Sequence, residues 1–169
     1  VLSQCIKMHN LDPFGHGDRI ASQVKYLCDG FKFSSLITYQ TVVAARLYEL
    51  GKMQYSQSEL ADFDKQNLLD SSRRYRSFVN TSAGLLKGFT DFSGVAAIIR
   101  HIFENVDGSG GPSGLKAEKV PIPCQIIQIC ASYDKLVTGK VTGLTVSPPQ
   151  ALIQIQTEKK NLINSKVVN

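Results

Sequence analysis

Histidine is almost absent from this chain. Only His9, His16 and His101 occur in 169 residues, too few imidazoles for a histidine-rich metal site. Cysteine is nearly as sparse. Cys5, Cys28, Cys124 and Cys130 form no Cys-x-x-Cys pair, which argues against a zinc knuckle and against a redox dithiol. Cys124 and Cys130 fall in an apolar helical stretch, where a thiol behaves as a small hydrophobe, and the cysteines are expected to be reduced. No apolar run approaches the ~18 residues that cross a bilayer, so no membrane partner is expected. Val1-Leu2-Ser3-Gln4 has no signal-peptide pattern and no Met. The chain is therefore expected to be one domain, 1–169, cut from a longer cytoplasmic protein.

Other absences narrow the function class. Strand-like alternation is scarce, and neither internal repeats nor low-complexity segments occur. No Gly-Lys-Ser/Thr follows the glycine-rich segment, so it is not a nucleotide P-loop. Ser109 stands in no strand-to-helix elbow of the hydrolase type. The cysteines lack the histidine and aspartate pattern of a protease. The net charge of +5 is spread along the chain. Its clusters, Arg73-Arg74 with Arg76 and Lys159-Lys160 after Glu158, read as solvated helix faces, and no nucleic-acid partner is expected.

What the chain does have is helical periodicity. Ile20, Val24, Leu27, Cys28 and Phe31 make one stripe. Leu36 to Leu50 reads as a second helix closed by Gly51. Ser56-Gln57-Ser58-Glu59 reads as a capping box opening a short helix. Arg73 to Leu86 is a further helix. Asp91 or Ser93 caps the next, with the face Val95, Ile98, Ile99, Ile102 and Phe103. Pro121 to Val137 is a long apolar helix. Ser147-Pro148-Pro149-Gln150 has the form of an N-terminal cap, so the following Ala-Leu-Ile-Gln-Ile-Gln-Thr is assigned to helix rather than strand. A last short helix covers Ile163 to Val168. The expected fold is all-α, a compact multi-helix bundle.

One loop stands out. Asp107-Gly108-Ser109-Gly110-Gly111-Pro112-Ser113-Gly114-Leu115 holds four of the thirteen glycines. Glycine reaches positive φ without steric cost and proline fixes its own φ, so this loop is shaped, and shaped loops between helices often carry function.

This loop resembles the Asp-Gly-Ser-Gly-Tyr-Pro-x-Gly-Leu signature of the HD-GYP subfamily of HD-domain phosphohydrolases. Leu47-Tyr48-Glu49-Leu50-Gly51-Lys52 resembles the Leu-His-Asp-Ile-Gly-Lys signature of the same superfamily. Gly15-His16-Gly17-Asp18-Arg19-Ile20 is similar to the subfamily's opening helix, and Val120-Pro121-Ile122 and Tyr133-Asp134-Lys135-Leu136 follow in the same order. The resemblance implies an all-α domain whose active members hydrolyse cyclic di-GMP at a cluster of two or three iron or manganese ions. Such ions polarise a phosphoryl oxygen and generate hydroxide at neutral pH.

The resemblance also places the ligand positions, and most are vestigial. The His-Asp pair falls on Tyr48 and Glu49, and the mid-chain histidine near Phe78. The His-His pair falls on Ile102 and Phe103, ahead of a matching Glu104, and the later aspartate falls on Ala131. Asp12, His16 and Glu49 remain as weak metal candidates, and no cofactor is expected. His101, one residue before the vacated pair, is read as a surface or interface histidine, because one helical residue turns a side chain by about 100°. His16 is read as exposed or capping. Tyr48, Ile102 and Phe103 are expected to form an apolar plug where the metals would be.

Lys52 and Lys140 remain as candidate phosphate-binding groups, although Gln125 replaces a family arginine and Gly111 replaces the tyrosine of the signature. The expectation is a catalytically inactive signalling domain. It would act through a protein partner such as a GGDEF domain, using the loop Asp107, Gly108, Ser109, Gly110, Gly111 and Pro112. The alternatives are a residual metal-dependent cyclic di-GMP phosphodiesterase and a non-catalytic cyclic di-GMP receptor.

Overall fold

The computed structural model describes residues 15–56, 58–60, 73–139 and 143–168. Seven α-helices can be bounded there: α1 (His16–Gly30), α2 (Ser35–Leu47), α3 (Arg73–Lys87), α4 (Ser93–Arg100), α5 (Ile122–Thr138), α6 (Pro148–Lys159) and α7 (Ser165–Val168). No strand occurs among the described residues, and the all-α expectation holds. The Ala151 to Thr157 segment is helical, inside α6.

Local signals set most of the boundaries. Gly15 caps α1 in the left-handed region at φ 69, which a side chain would resist. The Ser34 hydroxyl accepts from Ile37 N–H at 3.4 Å and opens α2. Ser56 and Glu59 exchange bonds as a capping box requires: Ser56 N–H donates to Glu59 Oε2 at 2.8 Å, and Glu59 N–H donates to Ser56 Oγ at 3.4 Å. Gly139, at φ 68, closes α5.

Two boundaries differ from the sequence reading. The second helix stops at Leu47, and the chain tightens into a 3-10 turn, Leu50–Gln54. Gly51 explains the tightening. A Cβ there would fall on the Phe78 carbonyl oxygen and close to Ser82 N, so only glycine lets this turn lie against α3. The second difference is at α4, which ends at Arg100. Ile102 and Phe103 lie in the turn beyond it, not on its face.

The core follows from the apolar stripes. Ile20, Val24 and Cys28 of α1, Ala44 and Leu47 of α2, and Phe78, Val79 and Leu86 of α3 are buried together. Val95 and Ile99 of α4 and Cys124, Ile126, Ile127 and Cys130 of α5 complete the cluster. A smaller cluster, Ile129, Leu136, Ala151, Ile155 and Ile163, holds α6 and the C-terminal segment to the far side of α5. Helix α5 therefore stands between two apolar layers, which is why so few of its residues reach solvent. Cys28, Cys124 and Cys130 are free and buried thiols. Burial pushes the Cys130 thiol up to about 12 and the Cys124 thiol higher still, so neither is a nucleophile near neutral pH.

The Lys159-Lys160 pair needs correction. Lys160 is exposed, but Lys159 is 2% exposed and not part of a solvated face. Its burial, reinforced by the neighbouring Lys135 charge, lowers its pKa to about 8.

Candidate functional site

The chain brings the two signature segments together at one end of the bundle. His16, at the start of α1, faces Tyr48 and Glu49 at the end of α2 and Asp134 in the middle of α5. The His16 imidazole is buried, which overturns its reading as exposed or capping. Its Nδ1 lies 2.5 Å from Asp134 Oδ2. A carboxylate can only accept, so the proton is on Nδ1. In the neutral ring, Nε2 then accepts from the Tyr48 hydroxyl, at 2.9 Å.

Asp134 is held from a second side. Arg19, one turn after His16, donates Nε–H to Oδ1 at 2.6 Å and Nη2–H to Oδ2 at 2.8 Å. This fork-on-carboxylate arrangement is the strongest form of a charged hydrogen bond. Burial alone would raise the Asp134 pKa. The hydrogen bonds from His16 and Arg19 more than offset it and hold the carboxyl at about 2.

Glu49 has its own cation. The Lys52 ammonium donates to Glu49 Oε1 at 2.5 Å, with both side chains 6% exposed. The same ammonium sits 5.2 Å from the Phe78 ring centroid, close enough for the ring quadrupole to favour it. Lys52 is thus inside the protein, not a solvated surface lysine. The 3-10 turn is fixed to α3 as well: Ser82 Oγ accepts from Gly51 N–H at 2.7 Å and donates to the Tyr48 carbonyl at 2.7 Å.

The apolar vestiges surround these groups. Ile102 is buried, and Phe103 packs edge-on against Phe78 with ring centroids 6.1 Å apart. The Tyr48 ring packs against Phe78 at 6.4 Å, and Ala131 lies on α5 one turn before Asp134. The expected apolar plug is therefore only half of what is there. Phenylalanines and Ile102 fill one side, and a charge-balanced network fills the other. Asp12 and Lys140 lie outside the described residues.

The donor set does not fit the iron or manganese cluster that the resemblance implies. Ile102, Phe103, Phe78 and Ala131 offer no donor atom. Both His16 nitrogens are engaged, both Asp134 oxygens are bonded to Arg19 or His16, and Glu49 is paired with Lys52. Among the described residues no group of three His, Cys, Asp or Glu side chains is disposed to hold a metal ion.

The network has two members that the sequence reading left out of the site, Arg19 and Asp134. Both stood within quoted motifs, Gly-His-Gly-Asp-Arg-Ile and Tyr-Asp-Lys-Leu. The available signal was helical spacing. Asp134 is three residues after Ala131, so it lies on the same side of α5, one turn on.

The glycine loop follows Phe103 and is organised by its backbone. Glu104, fully buried, accepts from Ser113 N–H at 2.6 Å and Leu115 N–H at 2.8 Å. Asp107 accepts from Ser109 N–H at 2.9 Å and from its hydroxyl at 2.7 Å, which together lower the Asp107 pKa. Gly108 and Gly114 have φ of 85 and 61. Gly110 has no room for a side chain, because a Cβ would meet Asn105 N, the Phe103 carbonyl and Glu104 Cα. A Cβ on Gly111, where the signature has tyrosine, would meet the Arg76 side chain. Arg76 thus covers the space over that glycine. Asp107, Ser109 and Pro112 are exposed and give the loop an outward polar edge. His101 is partly buried, with Nδ1 3.5 Å from Glu104 Oε1.

A family model described as HD domain matches residues 1–167. No curated protein matches the chain. Among solved structures, a HDG"Y"P protein from Bdellovibrio bacteriovorus superposes with a TM-score of 0.70 at 16% sequence identity. The match covers 90% of this chain and 49% of that one, so the chain spans about half of that protein's length. At this identity the likeness shows the shared all-α fold.

Proposed function

We propose that this chain, which belongs to the HD domain family, is a catalytically degenerate, HD-GYP-like signalling domain. It acts by protein interaction or regulation linked to cyclic di-GMP. One observation carries the reading. The two carboxylates at the metal end of the bundle are neutralised by the protein's own cations, Glu49 by Lys52 and Asp134 by Arg19. A carboxylate already bidentate to a guanidinium has to lose that partner before it can ligate a metal. Four ligand positions also carry side chains without donor atoms. His16 and Glu49, the metal candidates among the described residues, are engaged by Asp134, Tyr48 and Lys52.

The glycine loop supports the interaction half of the proposal. Its shape is kept by Glu104 and by glycine positions that admit no side chain, while Asp107, Ser109 and Pro112 face outward. A GGDEF domain or another signalling protein is the proposed partner of this edge.

The test is turnover. Purified protein with added manganese should not hydrolyse cyclic di-GMP. Hydrolysis that disappears in Glu49→Ala would replace this proposal with the residual phosphodiesterase built on Asp12, His16 and Glu49. Calorimetric binding of cyclic di-GMP without hydrolysis, lost in Lys140→Ala, would replace it with the receptor. Lys52, already bonded to Glu49, is poorly placed to serve such a receptor.

A further inference from the structure

A second site lies on the opposite side of α3 from the His16 network. Helices α3 and α4 leave between them an open cleft of about 600 Å³, within the range that small-molecule sites occupy. Small residues keep it open, with Ala83 and Gly84 on α3 and Ala96 and Ala97 on α4. Among the described residues Lys87 and Arg100 are the long side chains on these two walls. The ionisable groups along its rim, among the described residues, are Lys87, Arg100 and His101, all basic or neutral, and no carboxylate is among them. Among the described residues Lys87 and Arg100 form neither an ion pair nor a side-chain hydrogen bond. Asn80, Ser93 and Ser113 add neutral hydrogen-bonding groups.

This rim differs in kind from the network around His16, where the cations are paired. Two uncommitted cations over a small-residue floor match a compact anion with a flat or apolar body. Guanidinium binds two phosphate oxygens at once, and ammonium supplies a point charge beside it. A carboxylate ligand would use only part of such a rim, and a neutral ligand would leave the cations unanswered.

The cleft is also wired to the glycine loop. Ser113 belongs both to the cleft wall and to the loop, where its N–H is held by Glu104. His101, on the rim, faces the same Glu104 at 3.5 Å. An anion beside His101 and Ser113 therefore touches both ends of the Glu104 contact that fixes the loop.

We infer that this cleft binds a small organic phosphate, of mononucleotide size or less, and that its occupancy is felt by the glycine loop through His101, Glu104 and Ser113. The site would be a ligand input distinct from the centre where the family's metals would lie.

The probes are inorganic pyrophosphate and AMP, titrated into the intact chain and followed by amide NMR and by calorimetry. Saturable binding is expected, with shifts at Arg100, His101, Ser113 and Leu115. Affinity should fall about tenfold or more in Lys87→Ala and in Arg100→Ala, since each variant removes a charged hydrogen bond. Both side chains are exposed, so the variants are expected to fold, and unchanged amide dispersion verifies it. Absence of saturation at millimolar probe, or unchanged affinity in the double variant, overturns the site. Shifts confined to His16, Tyr48 and Lys52 overturn it too, by placing the anion at the other end of the bundle. Binding without any shift at Ser113 and Leu115 overturns the link to the loop.

Discussion

The centre around His16 and the loop around Gly110 have been treated differently by this sequence. At the centre, side chains have been exchanged: Tyr48, Ile102, Phe103 and Ala131 stand where the resemblance puts ligands. Lys52 is paired with Glu49 there, and Arg19 with Asp134. At the loop, the backbone has been kept. Gly110 still admits no side chain, Glu104 still gathers two backbone N–H groups, and Gly108 and Gly114 still take positive φ. The difference has a physical reason. A charge at a given place can be balanced by several kinds of group. A backbone path through a crowded corner can be provided by glycine alone. Side-chain chemistry is thus the easier thing to lose, and loop geometry the harder.

The largest expected effect is at the centre. Asp134→Ala leaves the Arg19 guanidinium and the His16 ring without their shared acceptor. With Asp134 buried and Arg19 partly exposed, the loss is expected to be about 2–3 kcal/mol, read from the midpoint and slope of urea denaturation. Loss of less than about 1 kcal/mol would mean that the network is peripheral to the fold. The loop gives the next contrast. Gly110→Ala drives a Cβ into backbone atoms and should cost about 2–3 kcal/mol. Gly111→Ala meets only the movable Arg76 chain and should cost less than about 1 kcal/mol. Equal losses at the two glycines would break the argument that position 110 alone is sterically closed.

Acid acts on the centre through a buried carboxylate. Asp134 is held at about 2 in the folded chain against an ordinary 3.8. The unfolded chain is therefore the stronger proton binder in that window. The stabilisation is present above pH 3.8 and disappears as the pH falls toward 2. After allowance for the partly exposed Arg19 it is worth about 1–2 kcal/mol. Asp134→Asn should flatten this part of the stability profile, and an unchanged profile would place the acid sensitivity elsewhere. The smallest effect is Ser109→Ala. It removes an exposed hydroxyl from Asp107 and should cost less than about 1 kcal/mol, measurable as a small shift in thermal midpoint.

Much of this arrangement was legible in the sequence. The apolar stripes of α1 and α5, the capping box at Ser56 and the proline-marked start of α6 are local signals, and each element formed where its residues directed. Two helix ends were misplaced, the first of them because a non-local contact decides it. Gly51 ends the second helix region by fitting against Phe78 on a distant segment, which periodicity cannot reveal. Helix α4 stops at Arg100 although the apolar pattern runs on to Phe103. At the centre, the vacated positions Tyr48, Ile102 and Phe103 were readable one by one. The paired network beside them was not, because joining His16 and Arg19 to Asp134 requires knowing which helices meet. Lys159 shows the same limit: beside Lys160 it reads as solvated, yet the packing of α6 against α5 buries it.

At the His16 end of the bundle, Glu49 and Asp134 are paired with the protein's own cations and His16 is engaged at both nitrogens, which leaves few groups for a metal. Metal stoichiometry tests it most directly. The protein would be prepared without oxygen in the presence of iron and manganese, freed of unbound metal and analysed by elemental mass spectrometry. Metal far below one ion per chain is predicted, rising little at higher manganese. Two or more tightly held ions per chain would contradict it.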